Sequence, residues 1–71
     1  MTISDSFKRF RKAYGLTQQN VADALKIQKS SYQRYEQGRV VPAVTVIINL
    51  ADAFNVSLDY LVGRSDNPNR Y

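Results

Sequence analysis

The stretch "VADALKIQKSSYQRYEQG", Val21 to Gly38, contains no proline, and its only glycine closes it. On propensity it is one long helix, because Lys, Gln and Leu are good helix formers. Val21, Leu25, Tyr32 and Tyr35 stay roughly in phase at 100° per residue, as one apolar stripe requires. A rod of about 20 residues would span about 30 Å, whereas helices in globular domains average about three turns. Two further observations disagree with a single rod. Ile27 falls on the side opposite the stripe, and Gln28 and Lys29 put polar side chains where the stripe should continue. Two shorter helices with a turn between them fit these positions equally well. Periodicity leaves both readings open, and they differ in consequence. One helix is a plain bundle element, whereas two place Lys29, Ser30, Gln33 and Arg34 on the face of a short projecting rod.

The flanks are easier to read. Ile3, Phe7, Phe10 and Tyr14 are spaced four, three and four apart, the stripe of an amphipathic helix over residues 3–14. Ser4 or Asp5 is expected to cap its start, and Lys8, Arg9 and Lys12 lie off the stripe and should face water. Gly15 ends that helix. Thr17 is a good N-cap for the next, with Val21, Ala22 and Leu25 inward. A full capping box would want Glu or Gln at residue 20, where the chain has Asn20. "RVVP", Arg39 to Pro42, reads as a short extended link, because a residue before proline avoids the helical region. Val44, Ile47, Ile48, Leu50, Ala51 and Phe54 repeat at helical spacing, and Asn55 breaks that run. Ser57 then caps a last short helix with Leu58, Leu61 and Val62, stopped by Gly63. Residues 64–71, "RSDNPNRY", are polar and read as a flexible tail or linker after one domain over residues 1–63. There is no strand-like alternation, so the fold class is all-α.

The chain has 71 residues, ten of them Lys or Arg and six Asp or Glu, for a net charge of +4. That balance suits a polyanionic partner, either nucleic acid or an anionic membrane surface. Histidine and cysteine are absent, which removes the commonest general acid/base, disulfides and thiolate metal sites. The six acids form no close pair in sequence, and there is no glycine-rich phosphate loop. An enzyme is not expected, nor is a metal or cofactor. No apolar run approaches a membrane span and the N-terminus lacks a signal-peptide core, so cytoplasmic residence is expected.

The segment from Phe7 to Gly63 resembles the phage-repressor/Cro (XRE) family of helix-turn-helix DNA-binding domains. The resemblance rests on several pieces in order: Phe10-Arg11 before "GLT", "LTQ" opening the second helix, "RYEQG" closing the third, Pro42 leading the fourth, and "LADAFNVSLDYL" across the fourth and fifth. It implies a compact five-helix bundle in which helices 2 and 3 form the helix-turn-helix, with the turn at Leu25 to Gln28. The family commonly has Gly at the position of Lys26 and Ser or Thr at that of Gln28. Lys26 is therefore expected in the left-handed region, at a cost of roughly 1 kcal/mol. Gln28 is too long to cap its own helix as Ser would.

The resemblance also implies a site. The third helix would lie in the major groove, with Gln28, Lys29, Ser30, Gln33 and Arg34 as candidates to reach base edges. Glutamine can pair twice with adenine, Lys and Arg favour the acceptors of guanine, and serine donates or accepts. Against this stands the plainer reading of a solvated polar helix face. Phosphate contacts are expected from the start of the second helix, where Gln18 and Gln19 meet the positive end of the helix dipole, and from Gln37 and Arg39. Arg11 and Glu36 match a family ion pair tying the first helix to the end of the third. Tyr32 and Tyr35 are expected to be core or boundary aromatics.

Family dimers usually associate around the fifth helix, here Val56, Leu58, Asp59 and Tyr60. The expected function is a sequence-specific regulator of transcription, a repressor binding a palindromic double-stranded operator as a homodimer. An alternative is a protein-interaction module, with a partner on the fourth helix, where Val44, Val46, Ile47 and Ile48 give more apolar surface than a core needs.

Overall fold

The computed structural model describes residues 1–70 and breaks the Val21–Gly38 stretch in two. Among the described residues the elements are α1 (Ile3–Ala13), α2 (Gln18–Leu25), α3 (Lys29–Glu36), α4 (Val44–Phe54) and α5 (Leu58–Val62), with no strand. The break falls where a helix can turn without glycine only under strain. Lys26 has φ 59° and ψ 40°, and the Ile27 N–H reaches back to the Ala22 carbonyl at 3.0 Å. That bond closes a Schellman-type C-terminus. Gln28, φ −72° and ψ 148°, is the N-cap of α3 and offers no side-chain cap. Lys26 is therefore the strained residue and Gln28 the uncapped one, as the resemblance implied. Lys26→Gly should raise stability by about 0.5–1 kcal/mol, the left-handed penalty less the extra freedom glycine gives the unfolded chain. A urea midpoint that moved downward would show that the turn carries no such strain.

Two helix starts differ from expectation. The N-cap of α1 is Thr2, which accepts from the Asp5 N–H at 3.1 Å, rather than Ser4 or Asp5. A hydroxyl three residues ahead of Asp5 reaches that orphan donor, while Ser4 and Asp5 already lie inside the helix. At α2 the box is complete despite Asn20. The Asn20 N–H donates to Thr17 Oγ1, and the Thr17 N–H donates to Asn20 Oδ1, both at 3.0 Å. The shorter amide spans the gap assigned to Glu or Gln.

The core is drawn from every helix. Phe7 and Phe10 of α1, Val21 and Ala22 of α2, and Tyr32 of α3 are fully buried with Leu50 and Ala51 of α4 and Leu61 of α5. Phe7 stacks on Tyr32 with ring centroids 6.3 Å apart and meets Tyr35 edge-on at 6.4 Å. These contacts hold α3 against α1 by its inner face, which leaves its outer face free. Beside Phe7, Ser6 of α1 makes a close approach to Gly63, φ 86°, where a Cβ would sit 2.7 Å from Ser6 Oγ. Ser6 is itself buried and donates to the Thr2 carbonyl at 2.9 Å.

Arg9 does not face water. Its guanidinium lies 4.1 Å from the centroid of the Tyr60 ring and donates to the carbonyls of Tyr60 (2.8 Å) and Ser65 (2.9 Å) and to Asp66 (2.8 Å). Helical phase on α1 alone put Arg9 outside, but α5 and the chain beyond it cover that side. Residues 64–70 accordingly lie back along the body rather than running free. The Ser57 N–H donates to the Pro68 carbonyl at 2.9 Å, and Arg70 pairs with Asp52. Tyr71, the end of the expected tail, lies outside the described residues.

Val56 is fully buried and Tyr60 nearly so, 4% exposed, because Val56 at the α4–α5 junction and Tyr60 on α5 both join the core. Of the four residues expected at a partner surface, these two are therefore covered within the single chain. That segment displays Leu58, 44% exposed, and Asp59 instead. On α4, Ile47 is buried while Val44 and Ile48 are exposed and Val46 is half-buried. No helix among the described residues is long and apolar enough to cross a membrane.

Candidate nucleic-acid interface

The site is assembled from the outer face of α3 and the N-terminus of α2. Because Tyr32 and Glu36 turn inward on α3, Lys29, Ser30 and Arg34 are left outward and Gln33 half-buried. Gln28 is exposed just ahead of them, and Gln37 and Arg39 just behind. Glu36 is the only acid within α3, and it is buried and paired. The face therefore presents Lys29 and Arg34 with no carboxylate of its own helix opposing them, which suits an anionic partner.

Glu36 is the anchor beneath this face. Arg11 donates from Nε to Oε2 at 2.7 Å and from Nη2 to Oε1 at 3.1 Å, a two-pronged pair linking α1 to α3. A third Arg11 hydrogen bond, from Nη1, goes to the Leu16 carbonyl at 3.2 Å. The Glu36 side chain is 4% exposed and that of Arg11 is 17% exposed. Burial by itself would raise the Glu36 carboxyl pKa, but the hydrogen bonds from Arg11 first, then the nearby Tyr32 hydroxyl, the Gln18 amide and the Arg11 charge, hold it below its ordinary value. The hydrogen bond that Arg11 donates to Glu36 pushes the Arg11 pKa upward against the opposing effect of burial. Burial first, and then the neighbouring carboxylate, push the Tyr32 phenol well above its ordinary value, so it stays protonated. Its hydroxyl is buried without a hydrogen bond of good geometry.

The side chains expected at the nucleic acid are not all free. Gln18 donates from Nε2 to Glu36 Oε1 at 3.2 Å and accepts from Gln33 Nε2 at 3.1 Å. These two residues, one expected at phosphate and the other at bases, are thus joined across α2 and α3. The sequence places them fifteen residues apart and carries no signal of that contact. Gln19 donates to Asp23 at 2.7 Å along the exposed side of α2.

The helix-turn-helix family matches residues 7–61 of the chain. The chain is 42% identical over 65 residues to the uncharacterized HTH-type transcriptional regulator YqaE of Bacillus subtilis (strain 168), covering 92% of this chain and 56% of that protein. It is 38% identical to the cryptic phage CTXphi transcriptional repressor RstR of Vibrio cholerae (serotype O1, El Tor Inaba N16961), covering 90% of this chain and 57% of that one. The crystal structure of a transcriptional regulator from Listeria innocua superposes with a TM-score of 0.78 at 31% identity, over 87% of this chain and 58% of that one. The chain thus spans a little over half the length of these relatives.

Proposed function

Because the chain belongs to the helix-turn-helix family of the phage-repressor/Cro type, whose relatives here are transcriptional regulators, we propose that it is a sequence-specific reader of double-stranded DNA that represses transcription. Lys29, Ser30, Gln33 and Arg34 on α3 enter the major groove, with Gln28 at the rim. The observation that carries this reading is the division of α3. Its inner side is locked to α1 through Tyr32 and Glu36, so the opposite side is a rigid polar and basic surface. Gln18, Gln19, Gln37 and Arg39 flank that surface at phosphate-contacting positions. A second copy related by two-fold symmetry would place its α3 about 34 Å away, one helical turn along an imperfect palindrome. With Val56 and Tyr60 in the core, Leu58 and Asp59 are the part of the expected dimer surface left to meet it. The cytoplasm is the compartment this activity requires.

Selection from random duplexes followed by footprinting should return a symmetric site. Lys29→Ala with Gln33→Ala should leave the fold intact and erase discrimination of about 1–3 kcal/mol at each base pair those residues read. Unchanged sequence preference in that pair would remove α3 as the reader. Light scattering with and without the selected duplex tests the dimer, and a monomer on the palindrome refutes it.

A second reading has one specific observation behind it. Val40, Val41, Val44 and Ile48 are exposed on the α3–α4 link and α4, more apolar surface than the core uses. A protein partner docking there would be recovered by pull-down from a chain that shifts no duplex in any pool.

A further inference from the structure

We propose that Glu36 and Gln18 are positioning residues for base recognition: the carboxylate, acting through the Gln18 amide, fixes which way the Gln33 amide faces, and so commits Gln33 to an adenine. This inference rests on the DNA-reading function above and deepens it.

The argument follows the direction of each hydrogen bond. An ionised carboxylate only accepts, so the Gln18 atom 3.2 Å from Glu36 Oε1 must be its Nε2. Arg11 holds that carboxylate from two sides and supplies the compensating charge, which keeps it in its accepting form. With Nε2 committed, Gln18 turns Oε1 toward α3, and an oxygen there is satisfied only by a donor. The Gln33 atom 3.1 Å away must then be Nε2. An isolated glutamine amide can flip, because its two ends differ little in shape. Here a flip of Gln33 would set two carbonyl oxygens against each other, and a flip of Gln18 would set one against the carboxylate.

What remains on Gln33 is therefore decided three residues away in space. Its Oε1 and one Nε2 hydrogen take no part in the relay. An acceptor beside a donor matches the N6 amino group and N7 of adenine in the major groove. Guanine offers two acceptors there, thymine an acceptor and a methyl group, and cytosine a donor alone, so none of them meets both ends of the Gln33 amide. A flexible glutamine could rotate to serve guanine, but the tethered one cannot without breaking the relay. Gln18 in turn keeps one free N–H, a donor suited to a phosphate oxygen.

Gln18→Met is the test, since it keeps length and packing, removes both amide ends and leaves the Arg11–Glu36 pair in place. Base preference is measured on duplexes randomised one pair at a time, with unfolding midpoints as the control for the fold. Gln33→Ala first identifies the pair that Gln33 reads. Wild type should prefer adenine there by roughly 10- to 100-fold, and Gln18→Met should reduce that to under about threefold while preferences at other pairs persist. In the free protein, the Gln33 side-chain amide proton that exchanges more slowly in wild type should lose its protection in Gln18→Met. If Gln18→Met weakens all duplexes equally and leaves the adenine preference intact, Gln18 serves phosphate alone and the inference fails. If wild type shows no base preference at any pair, the DNA-reading function fails and takes the inference with it.

Discussion

Arg11→Ala should leave little folded protein at 25 °C. Removing one member of a buried ion pair strands the other, at a typical cost of about 3–5 kcal/mol. A single core in a domain this small rarely supplies more than about 3–5 kcal/mol of net stability. The loss therefore matches the whole margin. The stranded group is Glu36, 4% exposed at its side chain and deprived of two of its three donors. Arg11 also serves the Leu16 carbonyl, which loses its partner at the α1–α2 corner. Arg11→Lys keeps a charge but not the two-pronged geometry, and should fall between wild type and alanine. Replacing both charges with apolar residues, Arg11→Met with Glu36→Leu, should recover part of the loss, because no unpaired charge stays buried. Urea unfolding followed by circular dichroism separates these cases. An Arg11→Ala protein destabilised by less than about 1 kcal/mol would rank the pair with surface ion pairs.

The same pair sets the response to acid. The Glu36 pKa is lower folded than unfolded, so the folded state binds its proton less readily. The resulting stabilisation is fully present above the ordinary carboxyl value of 4.5 and is lost as pH falls through the lower folded value. Melting temperature should accordingly drop on acidification below about pH 4.5. That acid-side loss should be largely absent from the Arg11→Met, Glu36→Leu protein.

DNA binding should depend steeply on salt. If a dimer neutralises six to ten phosphates, affinity for the selected duplex falls about 10³- to 10⁵-fold between 50 and 200 mM salt. The cations available for this are exposed ones, Lys29 and Arg34 on α3 and Arg39 beyond it, and each counts twice in a two-fold dimer. Arg39→Ala should weaken specific and random duplexes alike and reduce the log–log slope by about one per contact, about two for the dimer. Lys29→Ala with Gln33→Ala acts on preference as well as affinity. A slope near zero would mean that the positive face is not used on a polyanion, and would favour the partner-docking reading of α4.

Some of this could be read before any coordinates. The stripes of α1 and α4, the stops at Gly15, Gly38 and Gly63 and the cap at Thr17 all follow from rules that act within a turn or two of chain. The turn at Lys26 could not be reached that way, because a left-handed lysine looks like any other good helix former. It needed the resemblance to a family that carries glycine there. Thr2 does not stand out at the start of α1, because three short polar residues compete within four positions. Asn20 was discounted because the capping-box rule names a longer side chain.

Residues close in sequence share a backbone path, so periodicity and end signals suffice to mark out an all-α chain with a polar, basic face on its third helix. Contacts between elements obey no such spacing. The folding of α5 and the following chain over Arg9 turned an outward cation into a half-buried clasp. Packing put Val56 and Tyr60, two of the four residues expected at a dimer surface, in the core. The packing of α2 on α3 joined Gln18 directly to Gln33 and to a carboxylate anchored from α1. Only the tertiary structure could decide these, because a side chain's partner is set by which element lies across from it. Helical phase states which way a residue points, not what it meets.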